Sequence, residues 1–108
     1  MPRHEMPSGA LGLLILRVLR SGPLHGYAIA QRLRVVSEDV LQVGESSLYP
    51  ALQRLLANGW VTATWGASEN NRRARYYALT AAGRKQLTIE RAGFERMAAA
   101  ITRVLEQA

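Results

Sequence analysis

The chain has 108 residues, of which 48% are hydrophobic and 20% charged, a composition typical of one globular domain rather than of a disordered segment. It has no cysteine, which excludes a disulfide scaffold, a thiolate metal site and cysteine catalysis, and which agrees with a reducing, cytoplasmic setting. Fourteen Lys and Arg residues against eight Asp and Glu give a net charge of +6, and every basic residue except Lys85 is arginine. A small basic domain can bind nucleic acid or can merely carry a solvated basic surface, and charge alone does not separate the two.

The N-terminal part shows no signal-peptide cleavage pattern, and no uncharged apolar run reaches the roughly 18 residues of a membrane span, so we expect no membrane partner. Residues 1–7 are expected to be flexible. Ser8 is a suitable cap for a first helix that runs to about Arg20 and ends at Ser21-Gly22-Pro23. Apolar residues recur around almost the whole of this helix, which indicates a place deep in the core or in a subunit interface.

A second helix is predicted from near His25-Gly26 to about Val36, with His25 as a capping or packing residue at its start. A polar stretch follows this helix and leads into a short strand-like segment, Val40–Val43. Gly44 breaks that segment.

A third helix is predicted to begin with Ser46 or Ser47 as its cap. Pro50 then lies three or four residues into the helix, where its missing N–H costs little or nothing. Asn58-Gly59 supplies the C-terminal stop. The spacing predicts a buried stripe of Leu48, Leu52, Leu55 and Leu56 and an opposite side of Ser47, Tyr49, Pro50, Gln53, Arg54 and Ala57.

A β-hairpin is predicted next, from two runs rich in β-forming residues, Trp60–Trp65 and Ala74–Leu79. The polar turn between them is predicted over Gly66–Arg73. Adjacent tyrosines in the second strand, Tyr76 and Tyr77, must point to opposite faces, so we expect one of them in the core. The basic residues at the tip of the hairpin are Arg72, Arg73 and Arg75.

A last helix is predicted from a Thr80 cap over Ala81 to about Glu106, roughly 40 Å long. It carries a partial heptad pattern, and an apolar ridge on so long a helix needs a partner, for which a second copy of the chain is the simplest. The predicted dimerisation residues on the first and last helices are Leu11, Leu14, Ile15, Leu87, Phe94, Met97, Ile101, Val104 and Leu105.

Three helices followed by a hairpin are in the order of a winged helix-turn-helix, whose second and third helices place the third for the major groove of DNA. The predicted fold class is therefore α+β and mostly helical, with a winged helix-turn-helix over residues 8–79 and a C-terminal dimerisation helix over residues 80–108. A basic hairpin can reach an adjacent minor groove or the phosphate backbone.

A set of motifs follows these elements in order: Leu24-His25-Gly26-Tyr27-Ala28-Ile29, Ser47-Leu48-Tyr49-Pro50-Ala51-Leu52 with Arg54-Leu55, Asn58-Gly59-Trp60, Trp65, Arg73 to Tyr77, and Leu79-Thr80 with Gly83. At these residues the sequence resembles the PadR-type transcriptional regulators over roughly residues 8 to 105, and it looks like the small subfamily with one C-terminal helix. It departs from them at Ser46-Ser47, where many relatives have Gly and a single Ser or Thr.

The resemblance implies a homodimeric DNA-binding repressor that dimerises through its first and last helices and that a small planar effector or stress releases from DNA. It also suggests a phosphate contact for Tyr27. Tyrosine hydroxyls suit phosphates, and arginine suits a phosphate or a guanine edge. The candidate DNA-contacting residues are Tyr27, Ser46, Ser47, Tyr49, Pro50, Gln53, Arg54, Arg72, Arg73 and Arg75.

Each candidate also has a simpler interpretation. Tyr49 can pack on the hairpin, Arg54 can pair with a carboxylate, and Tyr27 can be a half-buried core residue. The serines can do no more than cap a helix, and the hairpin arginines can form a solvated loop. Phe94 and Met97 are a candidate effector pocket, where Phe94 and its mate would stack on a planar compound; plain dimer packing is the alternative.

No enzyme activity, cofactor or metal is expected, because the chain has two histidines, no Gly-rich phosphate loop and no histidine with a paired carboxylate and nucleophile. The predicted function is therefore a cytoplasmic, sequence-specific regulator of transcription. We expect it to act as a repressor that binds, as a homodimer, an inverted-repeat operator in double-stranded DNA and that a small effector releases. The alternative is a winged-helix module that recruits a protein. Such a module would carry apolar or acidic residues in place of the basic hairpin and the polar helix face.

Overall fold

The computed structural model describes residues 4–5 and 8–107, and its elements follow the order of a winged helix-turn-helix with an added C-terminal helix, as the sequence predicts. The helices are α1 (Ser8–Leu19), α2 (Gly26–Val36), α3 (Glu45–Ala57) and α4 (Ala81–Glu106). The strands are β1 (His4–Glu5), β2 (Leu24–His25), β3 (Leu41–Gln42), β4 (Val61–Ala67) and β5 (Arg73–Leu79).

The hairpin of β4 and β5, called the wing below, belongs to a three-stranded antiparallel sheet in the order β2-β5-β4. Ala67 opposite Arg73 is the last pair of the β4–β5 ladder before the turn. On the other edge, β2 pairs Leu24 with Tyr77. Because β2 leads directly into α2, this pairing holds the start of α2 beside the wing.

The N-terminal segment 1–7, which the sequence predicts to be flexible, lies mostly outside the described residues. Its described residues, His4–Glu5, form β1 and pair in parallel with β3. Two residues are too few to show a periodic pattern, so the sequence does not indicate this pairing. Flexibility of the remainder stays a prediction.

The core lies between the three helices of the winged domain and the inner face of the sheet. Ile15 and Leu16 of α1 have no exposed surface, which fits a helix that is apolar almost all round. Tyr77 is buried and Tyr76 is not, as the alternation of a strand requires. The described core residues are Leu11, Leu13, Ile15, Leu16, Leu19, Ile29, Leu33, Leu48, Ala51, Leu52, Leu55, Val61, Tyr77 and Leu87.

Helix α3 begins two to three residues earlier than the sequence predicts, with Gly44 at its N-cap and no side-chain cap. Ser46 and Ser47 lie in its first turn, so the prediction that one of them caps the helix is wrong. Glu45, the first helical residue, places a carboxylate at the positive end of the helix dipole. Pro50 is consequently the sixth residue of α3, where its missing N–H removes the bond to the Ser46 carbonyl.

Helix α4 is anchored to the winged domain at its N-terminus. The Thr80 hydroxyl donates to the Gly59 carbonyl at 2.8 Å and accepts from the Gly83 N–H at 3.0 Å, so Thr80 caps α4 as the sequence predicts. Gly83 is buried against the Trp60 carbonyl, and Leu87 belongs to the core. The first turns of α4 therefore share one core with residues 8–79, whereas the helix after Leu87 is exposed or half-buried.

Candidate nucleic-acid interface

The exposed side of α3 carries all the candidate residues that the sequence places on this helix: Ser46, Ser47, Tyr49, Pro50, Gln53 and Arg54. The opposite side is the buried stripe, in which Ala51 is buried and Leu56 only half-buried. Among the side chains that the structure describes, the ion pairs are Arg34–Asp39 and Arg91–Glu95. The guanidinium of Arg54 is therefore not held by a carboxylate of the described chain.

The ring of Tyr49 packs on the start of α2. A Cβ atom added at Gly26 would lie 3.0 Å from the Tyr49 hydroxyl and 3.3 Å from two of its ring carbons. Tyr49 still keeps 44% of its surface exposed. Contact with α2 thus supports one side of the ring and leaves the remainder available at the surface.

The first turn of α2 presents a second tyrosine. Tyr27 is 71% exposed, so it is not the half-buried core residue of the alternative interpretation. His25 caps the helix, since its Nδ1 accepts from the Ala28 N–H at 3.2 Å. The His25 ring also meets Tyr76 edge-on, with 5.3 Å between the ring centroids. Capping and packing therefore account for His25, as the sequence predicts.

The strands of the wing are longer, and its turn shorter, than the sequence predicts. Arg73 begins β5 and pairs with Ala67, so the prediction that Gly66 and Arg73 belong to the turn is wrong. The reason is close packing at Gly66, where an added Cβ would lie 3.2 Å from the Tyr76 ring. The Tyr76 hydroxyl donates to the Ala67 carbonyl at 2.8 Å, which stabilises the last ladder pairs.

The turn of the wing covers residues 68–72 and is closed by its own backbone. The Ser68 N–H donates to the Arg72 carbonyl at 2.7 Å, and the Asn71 N–H donates to the Ser68 carbonyl at 2.9 Å. Asn71 has a φ of 57°, a conformation that asparagine tolerates better than most residues. Arg72 stands exposed at this turn, one residue before β5.

Trp65 is a site residue that sequence reasoning used only as part of a motif. Trp65 is 60% exposed, and the Cζ atom of Arg73 lies 4.4 Å from its ring centroid. Arg75 is directly opposite Trp65 in the ladder, and its Cζ atom lies 5.9 Å from the Tyr77 ring. Cross-strand neighbours share one face of a hairpin, so a tryptophan facing arginines could have indicated this contact.

A surface cleft of about 430 Å³ brings α2, α3 and the wing together. The candidate residues that line it are Tyr27, Tyr49, Gln53, Arg73 and Arg75, with Trp65 beside them. Ser46, Ser47, Pro50, Arg54 and Arg72 do not line it and stand on the flanking surfaces of α3 and the turn. The described lining contains two arginines and no carboxylate, which suits the phosphate backbone of a nucleic acid.

The candidate dimerisation residues fall into two groups. Leu11, Ile15 and Leu87 are buried in the chain's own core, so they have almost no surface left for a second subunit. Their part in dimerisation stays a prediction, which this burial does not favour. Leu14 is half-buried against the core. The remaining candidates lie on α4 and are each exposed by half or more: Phe94, Met97, Ile101, Val104 and Leu105, called the α4 ridge below.

An open cavity of about 520 Å³ lies between α1, β3 and the middle of α4. Its lining is mainly apolar and includes Leu14, Leu41 and Phe94. Of the two candidate effector residues, Phe94 lines this cavity and Met97 does not, because the lining on α4 ends at Glu95. Arg17 supplies positive charge at the cavity, whereas Arg91 is paired there with Glu95 at 3.3 Å.

Within residues 4–5 and 8–107, no cluster of three or more potential metal ligands is found. A helix with the length and apolar character to cross the bilayer is likewise absent from that part of the chain.

Comparison with known proteins identifies the family. A family model described as the transcriptional regulator PadR-like family matches residues 15–89. A transcriptional regulator from Clostridium thermocellum has a similar structure, with a TM-score of 0.80 and 28% identity, covering 88% of this chain and 92% of that one. A PadR-like regulator from Bacillus cereus has the same fold, with a TM-score of 0.77 and 24% identity over 93% of this chain and 95% of that one.

A curated relative shows the same segment inside a longer protein. An uncharacterized 37.1 kDa protein in a transposon of Streptomyces fradiae is 40% identical over 96 residues, which are 89% of this chain. The chain spans only 25% of the length of that relative. The family match covers most of the winged domain and the first part of α4, and the chain belongs to the PadR-like family of transcriptional regulators.

Proposed function

We propose that the chain is a cytoplasmic repressor that binds, as a homodimer, an inverted-repeat operator in double-stranded DNA. The observation that carries this proposal is the cleft in which tyrosines of α2 and α3 and arginines of the wing share one surface. In this arrangement α3 supplies side chains for the major groove, and the wing reaches the adjacent minor groove or the backbone.

The charge of this surface favours a polyanion over a protein partner. The chain carries a net charge of +6, and Arg54, Arg72 and Arg73 are exposed around the cleft. Neither of the ion pairs among the described side chains involves these arginines. A module that recruits a protein would present apolar or acidic residues here, whereas the described lining has two arginines and no carboxylate, so the charge of the cleft supports DNA binding.

The homodimer is proposed from the α4 ridge. Its five large apolar side chains are each 52% exposed or more, and an uncovered ridge of this kind would promote aggregation. Pairing of two copies about a two-fold axis would cover it and would present two α3 helices to one face of DNA. Half-sites are then expected roughly one helical turn, about 10 bp, apart or a multiple of that distance.

A small planar effector is proposed for the cavity between α1 and α4. Its volume of about 520 Å³ lies within the range of roughly 300–1,000 Å³ for small-molecule sites. The ring of Phe94 offers a surface for stacking. A ligand that contacts both α1 and α4 could change their relative position and thereby the spacing of the two α3 helices.

Selection of bound sequences from random DNA, followed by fluorescence anisotropy at several salt concentrations, tests the operator and the dimer together. We expect a selected site with a dyad and an affinity that falls steeply with salt. A best site without two-fold symmetry would contradict the paired α3 helices, and equal affinity for all sequences would contradict an operator.

The repressor and effector parts have separate tests. A reporter placed downstream of the selected site should be silenced by the protein, and activation would contradict repression. Planar aromatic compounds that dissociate the complex should lose potency against Phe94→Leu, which keeps an apolar side chain but removes the ring. If a compound acts equally on both proteins, the Phe94 ring does not contribute to effector binding and only packs in the dimer.

A further inference from the structure

Trp65 occupies an unusual place on the wing. It lies on the same face of the hairpin as the buried Tyr77, since residues opposite in the ladder and those two apart share a face. Nearer the turn, however, the same face is no longer covered, and Trp65 keeps 60% of its surface exposed. A large aromatic ring is thus presented at the mouth of the cleft beside α3.

Arg73 covers part of this ring. Its Cζ atom is 4.4 Å from the centroid of Trp65, well within the roughly 6 Å over which a cation is attracted to a ring face. Arg73 is diagonal to Trp65, because Trp65 pairs with Arg75 and Arg73 pairs with Ala67. The ladder therefore fixes the relative position of the two backbones, and the ring restricts the long arginine side chain.

The N–H groups of Arg73 are not used up by this contact. A guanidinium that lies against a ring face through its own flat face keeps its in-plane N–H donors free, and a Cζ 4.4 Å from the Trp65 centroid is compatible with that arrangement. Arg73 is exposed, and neither ion pair of the described side chains involves it. Arg72, by contrast, stands on the turn, and no cation–π contact is found for it among the described residues. The two adjacent arginines thus differ in how firmly they are held.

We propose that Trp65 is a positioning residue for DNA recognition, which holds Arg73 in one orientation for a narrow, A·T-rich minor groove. This rests on the proposed function, in which the wing contacts DNA beside α3. A narrow minor groove attracts arginine through its enhanced negative potential, and a pre-oriented guanidinium loses less freedom on entering it. Arg72 then contributes to affinity without distinguishing sequences.

The test varies the base pairs that flank the α3 contacts in the selected operator, in three versions with A·T, G·C or inosine·cytosine pairs. Inosine·cytosine has the major groove of G·C but lacks the minor-groove amino group that G·C adds. We expect the unmodified protein to bind the A·T and inosine versions more tightly than the G·C version. Equal affinity for all three would overturn the proposal.

Trp65→Leu should lower the affinity for the A·T version about two- to fivefold, because that factor corresponds to the loss of an exposed cation–π contact. It should also reduce the preference of the protein for the A·T version over the G·C version. Trp65→Phe should restore most of both, because it keeps a ring face. In an Arg73→Ala background Trp65→Leu should have no further effect, whereas its effect should add to that of Arg72→Ala. Equal behaviour of Leu and Phe, or a full effect without Arg73, would overturn the proposal.

Arg73→Lys is the second variant and leaves Trp65 in place if Trp65→Leu does not fold. It keeps the positive charge but loses the planar group that stacks and donates in a fork. We expect it to retain salt-dependent binding and to lose the A·T preference, and retention of that preference would overturn the proposal. Failure of the unmodified protein to bind any DNA would instead contradict the proposed function itself.

Discussion

The Tyr49 ring rests on the backbone of Gly26, so the start of α2 sets the position of a residue that α3 presents to solvent. Two helices of the helix-turn-helix thereby meet at a contact that is part of the candidate site. Because the nearest Tyr49 atom would be 3.0 Å from a Cβ at position 26, any larger residue there must displace the ring. The glycine at position 26 therefore affects the position of the Tyr49 ring as well as the start of α2.

Gly26→Ala is expected to weaken operator binding with little change in stability. A Cβ at position 26 requires the Tyr49 ring to move by a few tenths of an ångström, which would weaken a hydrogen bond from its hydroxyl to a phosphate. The whole bond, made to a charged group, is worth roughly 1.5–3 kcal/mol, so we expect a part of that loss. Tyr49→Phe removes the same hydroxyl, so the two substitutions should be far from additive. Fluorescence anisotropy with the selected operator measures both, and urea unfolding checks the fold.

Gly12→Ala is the matched control for this substitution. Gly12 lies within α1, and an added Cβ would be 3.8 Å from the Leu55 side chain, an ordinary contact. We expect Gly12→Ala to leave DNA affinity unchanged and to stabilise the helix by about 0.5–1 kcal/mol. If Gly26→Ala binds as tightly as the parent while Tyr49→Phe does not, the ring adjusts without loss and the contact is unimportant.

Arg54 and Arg72 are expected to contribute to binding in different ways. Arg54 stands on a rigid helix, which can hold its side chain in the geometry that a base edge requires. Arg54→Ala should therefore cost about 1–3 kcal/mol of binding free energy, and the loss should differ between operator variants. Arg72 stands on the turn, and Arg72→Ala should weaken all sequences alike and reduce the salt slope by about one unit. Anisotropy against single-base variants at two salt concentrations measures both effects. If Arg72→Ala changes discrimination between bases and Arg54→Ala weakens all sequences alike, Arg72 reads bases and Arg54 contacts the backbone.

The order and approximate limits of the helices could be predicted from the sequence because periodic apolar residues and local caps determine them. Thr80 and His25 act on backbone groups three residues away, so their capping roles can be inferred from local sequence. The start of α3 is predicted two to three residues too late, because serine is a better cap than glycine by sequence, although Glu45 is also favourable in a first turn.

The contacts of the wing could not be inferred in the same way. A glycine at position 66 is typical of a turn, yet Gly66 lies in β4, where the Tyr76 ring packs closely over it. The contact of Trp65 with Arg73 depends on the register of the hairpin. A turn predicted over Gly66–Arg73 does not give that register, because Ala67 and Arg73 are paired in the ladder. Candidate residues were identified individually, but the cleft that joins them depends on the packing of α2, α3 and the wing.

Gly83→Ala is expected to destabilise the fold by about 2 kcal/mol or more. An added Cβ would collide with the carbonyl of Trp60, a backbone atom that cannot move without shifting α4 or the start of β4. Gly93→Ala on the same helix is the control, since its Cβ would meet only the Arg96 side chain at 3.9 Å. That substitution should stabilise α4 by up to about 1 kcal/mol.

Urea unfolding at one fixed protein concentration compares the Gly83 and Gly93 variants, because the stability of a dimer depends on concentration. Equal stability of the two variants would show that the contact between α4 and Trp60 relaxes freely. In that case the junction of α4 with the winged domain is looser than the buried position of Gly83 indicates.

Ile101→Asp is expected to convert the proposed dimer into a monomer, or to make the protein insoluble, because it places a charge in the centre of the α4 ridge. Thr102→Asp is the matched control, one residue further along the same exposed stretch of α4 and outside the α4 ridge. Both substitutions add the same charge near the C-terminal end of the helix, so their effects on the helix dipole are similar. Only the first should change the sedimentation coefficient at micromolar concentration.

The monomer should also bind the full operator much more weakly, because two half-sites no longer engage together, while its affinity for an isolated half-site should change little. A folded monomer of the unmodified chain, or equal sedimentation of the two variants, would show that the α4 ridge does not join two copies.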